Sequence, residues 1–336
     1  MEQPIFICAQ PHTYQYTCQV DGMLKSFEIN GNVDMNRVHV VGAGRSEYSQ
    51  YYWNVIRKKW SKKGVLFEYY LDTRTDLKYQ PSIQPHVLEK HWEKHPYLTD
   101  EFIFHHDCDI VLTKPISFEN KLHGNKCYLS NTVSYIGAKY IESKGYNLLE
   151  EMCNIVNIPI ETVRKNEDNS GGAQYLFSKG ISSQFWKNVY EDSINLYNKI
   201  EPKCNKIKNE NPNWASLQTW TAGMWAYLWN LWKEGYETEV HEDFNFTWAV
   251  EPMEKWDENP IYHDSGISDK WLEKQDDKND LPYNKQKLKG TLIPMKNVPR
   301  PSDKWASQKY YDLLVDAWHE TLYFLNNKII ENGEED

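Results

Sequence analysis

Phe102-Ile103-Phe104-His105-His106-Asp107-Cys108-Asp109 is the stretch on which the fold turns. The three leading residues are apolar without a polar break, too apolar for a sheet edge, so the run reads as a central strand with His105 to Asp109 at its carboxyl end. Ligands of open α/β sheets gather at that end, because the loops there vary while the sheet holds them rigidly. Two carboxylates on that rim, Asp107 and Asp109, are hard oxygen donors suited to Mg²⁺ or Mn²⁺, and a metal so held can bridge a diphosphate. The alternative reading of an isolated Asp-x-Asp is an acidic turn.

Toward the N-terminus the pattern alternates between short apolar runs and helical spacing. Ile5 to Cys8 reads as a strand, and Arg37 to Val41 as a second that ends at the turn Gly42-Ala43-Gly44. Ser49 to Trp60 carries Tyr52, Val55, Ile56 and Trp60 on one helical stripe, stopped by Gly64 before a third strand, Val65 to Leu71. Pro81 to Lys94 is a further helix, with Pro85 in its first turn and Ile83, Val87, Leu88 and Trp92 on one face. Repeated βαβ units of this kind predict an α/β fold with a Rossmann-like, mostly parallel sheet flanked by helices.

Downstream the chain is richer in helix and Trp. Ser183 to Lys199 and Ser216 to Trp232 have helical stripes, Ser268 to Ser302 is a charged, Pro-containing loop or lid, and a last amphipathic helix runs from Asp303 to about Asn326. The expected division is 1–150, a nucleotide-binding half; 151–302, an acceptor half of the same domain; and 303–336, a C-terminal helix and tail.

Composition bounds the function. The 48 acidic and 38 basic residues give a net charge of −10, which argues against nucleic acid or an anionic membrane as partner. The six cysteines are scattered without a Cys-x-x-Cys pair, so neither a zinc knuckle nor a disulfide framework is expected. The opening MEQPIFICAQPH lacks the basic and long apolar regions of a secretion signal, and no apolar run approaches the roughly 20 residues of a membrane span. The expectation is a soluble, cytoplasmic protein of a bacterial or virus-infected cell. The 14 Trp and 23 Tyr supply core area that the 40% apolar fraction understates. Trp214, Trp220, Trp225, Trp229, Trp232, Trp248 and Trp256 could stack on sugar faces, although the helical stripe already accounts for most of them as packing residues.

Two further motifs bear on chemistry. Asn169-Ser170-Gly171-Gly172-Ala173-Gln174 is polar and Gly-rich and leads into the apolar Tyr175-Leu176-Phe177. Glycines let backbone pass close to a sugar or phosphate, whereas the plain alternative is a turn entering a strand. His263-x-x-Gly266-x-x-x-Lys270-Trp271 offers a nitrogen donor that favours Mn²⁺ and a cation for a phosphate.

The order of these motifs resembles the metal-dependent retaining glycosyltransferases of GT-A fold related to glycogenin and bacterial lipopolysaccharide galactosyltransferases. The resemblance spans most of residues 5 to 271 and is confined to short motifs. It implies a GT-A type fold with a helix-rich C-terminal acceptor half, and transfer of a sugar from a UDP-sugar to a glycan or peptide, with Mn²⁺ or Mg²⁺ and with retention of the anomeric configuration. It further implies Asp107, Asp109 and His263 as metal ligands, Gly266 and Lys270 near the diphosphate, and Ile7, Cys8, Ala9 and Gln10 near the nucleobase. Tyr79, Gln80 and Ser82 would lie near the nucleoside, Asn169, Gly171 and Gly172 near the sugar, and Gln218 beside the reacting carbon. The sequence departs from the family pattern in His105-His106 before the first Asp, in the lack of acids flanking Gln218, and in the missing Pro between Lys270 and Trp271.

Other chemistries remain open at this level. An inverting enzyme would need a carboxylate base, for which Glu242, Asp243 and Asp264 are candidates. A nucleotidyltransferase would read Gly42-x-Gly44-Arg45 as a poor phosphate signature. A zinc hydrolase would use His105, His106, Asp107 and His263 without the usual helical spacing. A non-catalytic carbohydrate-binding protein would account for the tryptophans.

Overall fold

A computed structural model describes residues 2–46, 50–277, 279–288 and 298–333, with the backbone alone for residues 269, 270, 287, 288 and 327–333. Ten strands are present among them: β1 Ile5–Pro11, β2 Val38–Gly44, β3 Leu66–Leu71, β4 Ile103–His105, β5 Ile110–Leu112, β6 Lys126–Ser130, β7 Gly172–Phe177, β8 Glu237–Val240, β9 Phe246–Trp248 and β10 Ile261–His263. Seven of them form one sheet in the order β3-β2-β1-β4-β7-β6-β8, and the other three a small sheet in the order β5-β10-β9.

The large sheet is α/β and mostly parallel, as the apolar runs predict. β3, β2, β1 and β4 are mutually parallel. β7 runs antiparallel to both β4 and β6, and β6 pairs in parallel with β8. Alternate side chains of β1 enter opposite cores, Ile7 and Ala9 on one face and Phe6 and Cys8 on the other. Burial on both faces is why β1 and β4 read as unbroken apolar runs and not as alternating ones.

Helices Ile83–Lys94, Ser183–Glu210 and Ala222–Lys233 cover the first face, where Trp186, Trp225 and Trp229 are at most 1% exposed. Each such indole removes about 150–250 Å² from water, roughly 4–6 kcal/mol at the usual area coefficient. Helices Tyr14–Ile29, Tyr51–Ser61 and Ser307–Gly333 cover the other face. There Asp21 is buried with Lys59 at 3.1 Å, and accepts hydrogen bonds from Trp60 Nε1 (2.7 Å) and Thr321 Oγ1 (2.6 Å). One carboxylate thus joins three helices. No helix among the described residues is long and apolar enough to cross a membrane.

Several elements differ from the reading of the sequence. Tyr14–Ile29 is a 16-residue helix that the apolar pattern did not reveal. The helix from Ser183 continues through Pro202 to Glu210. Ser216 to Gln218 are not helical: Gln218 has φ −84° and ψ 77°, a short 3₁₀ turn covers Thr219–Thr221, and the α-helix begins at Ala222. The threonines explain the delay, since Thr221 Oγ1 donates to the Gln218 carbonyl at 2.6 Å and offers the backbone a partner outside the helical ladder. Within 268–302, residues 269–273 form one short helix and 285–288 a 3₁₀ turn, while 278 and 289–297 lie outside the described residues. The start of the helix read from Ser49 also falls partly outside them, and its described span is Tyr51–Ser61.

Candidate functional site

The small sheet assembles the site. β5 begins one residue after Asp109, and β10 ends at His263. Their antiparallel pairing sets His263 opposite Ile110, and the Asp264 N–H donates to the Asp109 carbonyl at 2.9 Å. Two segments far apart in sequence are therefore fixed to each other by backbone hydrogen bonds, not by loop contacts.

His263 Nε2 lies 3.4 Å from Asp109 Oδ1 and 3.7 Å from Asp107 Oδ2. Ligand atoms from all three residues lie within 4.8 Å of one another, the only such group of three found among the described residues. Gln84 Nε2 donates to Asp107 Oδ1 at 2.7 Å, and the Lys285 ammonium pairs with Asp109 Oδ2. Asp109 Oδ1 is buried and forms no well-aligned hydrogen bond, with His263 Nε2 facing it at 3.4 Å. A buried carboxylate oxygen so weakly satisfied is costly, and a divalent cation held by two carboxylates and an imidazole answers it. The donor set fits Mn²⁺ or Mg²⁺ on those grounds.

Position within β7 orients the imidazole. Tyr175 and Leu176 pair with Leu129 and Tyr128, after which the register jumps so that Gly172 faces Ser130, leaving Ala173 and Gln174 without partners on β6. Ala173 takes φ +70°, a left-handed conformation that a side chain disfavours. The bulge aims the fully buried Gln174 at the site, where its amide bridges Ser130 Oγ (2.6 Å) and His263 Nδ1 (3.1 Å). With Nδ1 so engaged, Nε2 faces the two aspartates.

Electrostatics are those of tightly packed opposite charges. Burial opposes the charged form of Asp109, but the Lys285 ammonium and then His263 more than offset it and hold its carboxyl well below the usual range. Partial burial, and next the Asp109 charge, push Asp107 up. Burial also works against the His263 imidazolium, yet Asp109 outweighs it and the pKa is raised. Lys285 is raised likewise, its desolvation outweighed by Asp109 and Asp264. Asp264 is fully buried, both its oxygens lack hydrogen bonds, and burial raises its pKa to about 7.

Lys285 is the functional-looking residue that motif reading missed. It sits in a charged segment where nothing in the sequence marks one lysine from another. Gly266, with φ +92°, lies under it: a Cβ at Gly266 would come 3.3 Å from Lys285 Cε. The side chain of Lys270 is outside the described residues.

Other nominated residues are placed as follows. Ile7, Cys8, Ala9 and Gln10 are at most 2% exposed in β1, and neither amide atom of Gln10 finds a partner. Tyr79 OH donates to the Trp220 carbonyl and accepts from the Gly223 N–H, both at 2.7 Å, and Ser82 Oγ donates to the Tyr79 carbonyl at 2.8 Å. Gln80 Nε2 donates to the Leu77 carbonyl at 2.7 Å. The Asn169 carbonyl accepts from Thr238 Oγ1 at 3.2 Å. A Cβ at Gly171 would lie 2.6 Å from the Ser130 carbonyl oxygen, so close packing already demands glycine there, whereas one at Gly172 would lie 2.7 Å from Met224 Cε, the end of a flexible side chain that can shift. Asp243 pairs with Lys121 at 2.5 Å, and Glu242 is exposed beside it.

His105 and His106 do not join the cluster of Asp107, Asp109 and His263. His105 Nδ1 lies 3.2 Å from the Ile7 carbonyl and its ring stacks on Tyr175 and Tyr227; His106 packs among Phe6, Phe27 and Phe104. Burial lowers their pKa values to about 3 and about 4, as for neutral packing residues.

Beside Asp107, Asp109 and His263 opens a groove of about 920 Å³ whose lining includes Tyr135, Gln218, Trp220, Trp248 and Gly266. The Trp248 indole lies parallel to the His263 ring, 9° and 6.4 Å apart. Gln218 is exposed there, its backbone N–H donating to Tyr140 OH at 3.1 Å. Another cavity, about 580 Å³ between Gln3, Asn32 and His123, is at the amino end of β1, away from the rim where α/β sheets bind ligands.

No protein-family model matches the sequence, and no curated protein matches it. Among solved structures, the apo WbbM bifunctional glycosyltransferase matches with a TM-score of 0.50 and 9% identity, over 97% of this chain and 51% of that one. The chain therefore spans about half the length of that protein, and the likeness is one of fold. Mouse xyloside xylosyltransferase 1 matches with a TM-score of 0.37 and 10% identity, over 77% of this chain and 97% of that one. A mannosyltransferase from Pyrobaculum calidifontis, in complex with GDP-Man and Mn²⁺, matches with a TM-score of 0.27 and 8% identity, over 69% and 72%. Scores this low bear no argument for the last two.

Proposed function

We propose that the chain is a glycosyltransferase that moves a sugar from a UDP-sugar to a glycan or peptide acceptor, with Mn²⁺ or Mg²⁺ held by Asp107, Asp109 and His263. The observation that carries this reading is the convergence of two carboxylates and an imidazole at the carboxyl end of β4, around a buried Asp109 oxygen that forms no well-aligned hydrogen bond. The fold shared with a solved glycosyltransferase accords with it.

A bound divalent ion would supply electrostatic stabilisation of the charge that develops on the departing diphosphate. Lys285, now paired with Asp109, would carry a second positive charge to the same oxygens, with Lys270 as the lysine that the family motif nominates. Gln174 would hold the His263 ring in place, and Gly266 would let backbone approach the phosphates. The unpartnered amide of Gln10, at the end of β1, offers a donor and an acceptor for a nucleobase edge. Ile7, Cys8 and Ala9 would support that pocket, Tyr79, Gln80 and Ser82 the nucleoside, and Asn169, Gly171 and Gly172 the sugar.

In the retaining course we favour, the bond from the anomeric carbon to the phosphate oxygen breaks and the phosphate leaves with the electron pair. The acceptor oxygen forms the new bond on the same face and its proton passes to the departing phosphate. Gln218 would position the reacting sugar. Residues 1–150 would serve the donor and 151–302 the acceptor, with His263 from the second segment completing the ligand set of the first.

Incubation with a panel of UDP-sugars and Mn²⁺, followed by NMR, tests the proposal. It predicts slow release of UDP and free sugar from one donor, abolished by chelator and by Asp109→Asn. No turnover of any donor with either metal, or equal turnover in chelator, refutes it.

A further inference from the structure

We infer that the groove beside His263 is an acceptor subsite for a neutral oligosaccharide, with Trp220 as its stacking platform; the inference deepens the glycosyltransferase reading and rests on it for the role of the site. Trp220 is 56% exposed, the one tryptophan among the large exposed apolar side chains of the described residues. Exposure of so large an apolar surface calls for an occupant. It is not a loose side chain on a mobile loop. Its carbonyl accepts from the buried Tyr79 hydroxyl, Thr221 Oγ1 donates to the Gln218 carbonyl, and Thr219 Oγ1 bonds Glu201, so the turn is tied on both sides of the indole.

The other aromatic faces continue toward the ligand group. Tyr135 stacks with Trp220 at 6.4 Å and 27°, and meets Trp248 edge-on at 6.1 Å, while Trp248 lies parallel to His263. An indole face matches the C–H face of a pyranose, and a row of them ending at the metal ligands would deliver a sugar hydroxyl to the donor. At about 920 Å³ the groove is near the upper end of the roughly 300–1,000 Å³ of ligand sites, room for more than one sugar ring.

Charge selects the class of occupant. Lys255 in the lining is paired with Glu258 at 2.5 Å, and Glu251 accepts from the Trp248 N–H at 2.7 Å. Among the described residues the rest of the lining offers a ligand amide and hydroxyl groups, including Asn131, Ser134, Gln218 and Asn245, beside the negative charge of Glu251. Amides and hydroxyls exchange hydrogen bonds with sugar hydroxyls, and Glu251 opposes a phosphate or carboxylate.

The test is binding of an array of neutral and acidic oligosaccharides to the full chain in chelator, without nucleotide, so that the donor site plays no part. Neutral oligosaccharides are expected to bind. Trp220→Ala should weaken them about tenfold or more, Trp220→Phe much less, with Mn²⁺-dependent UDP binding unchanged in both. Ser134→Trp, which fills the groove from an exposed position, should block binding in the same way and covers the case in which Trp220→Ala fails to fold. Binding of acidic glycans alone, of no oligosaccharide, or equally by wild type and Ser134→Trp would overturn the inference. Loss of UDP binding with oligosaccharide binding intact would remove the donor reading and leave the groove.

Discussion

At the scale of single residues, Lys285 and Gln174 are the two side chains that change how the site is understood. Lys285 neutralises Asp109 in a buried setting, so Lys285→Met leaves a carboxylate without its partner and should cost about 2 to 3 kcal/mol in chelator. A divalent ion would replace the missing charge, so Mn²⁺ should recover most of the loss in urea melts; an equal loss with and without Mn²⁺ would speak against a cation at Asp109. Gln174→Ala releases His263 Nδ1 and should weaken Mn²⁺ binding by roughly 10–100-fold, measured on the folded protein since the buried polar groups left unpaired also lower stability by about 1–3 kcal/mol. Away from the site, His39 and His91 share a 2.9 Å hydrogen bond, and burial lowers their pKa values from 6.5 to about 3 and about 2. Below the unfolded pKa of about 6.5 the unfolded chain takes up protons that the folded chain refuses, so stability is present above that pH and lost as pH falls. From pH 6.5 to 5 the loss is about 2 kcal/mol per ring, and the urea midpoint should fall less steeply in His91→Gln than in wild type.

At the scale of elements, legibility followed burial. β1, β2 and β4 announce themselves because strands buried on both faces must be apolar nearly throughout, while β3, the half-buried edge strand, is found between Gly64 and the next helix. Helix Tyr14–Ile29 does not, because Thr17, Gln19, Asp21 and Ser26 lie on its buried side and erase the amphipathic period. Asp21 shows what those polar residues do: Asp21→Ala would strand Lys59 among three helices and should cost about 3–5 kcal/mol in urea unfolding. β5, β9 and β10 have three residues each, too few for a period of two to register, so the pairing that brings His263 to Asp109 had to come from the structure. The β7 bulge is equally silent in sequence. Since Ala173 carries φ +70° there, Ala173→Gly should raise stability by about 0.5–1 kcal/mol, and a decrease would mean that the methyl group packs usefully.

At the scale of the whole molecule, a mostly parallel sheet presents Asp107 and Asp109 at its carboxyl rim, and the small sheet brings in His263 from the far half of the chain. The order of short motifs, through its resemblance to a family, was enough to nominate those three residues, since neither the Asp-x-Asp nor the lone His marks a metal site by itself. They were not enough for Lys285 or for the shape of the groove, which exist only once distant segments meet. The central claim is a nucleotide site that depends on a divalent ion at Asp107, Asp109 and His263. Calorimetric titration with UDP tests it most directly: the account predicts one UDP per chain in Mn²⁺, and none in chelator or for a folded Asp109→Asn. UDP binding that is indifferent to both the ion and the substitution would contradict it.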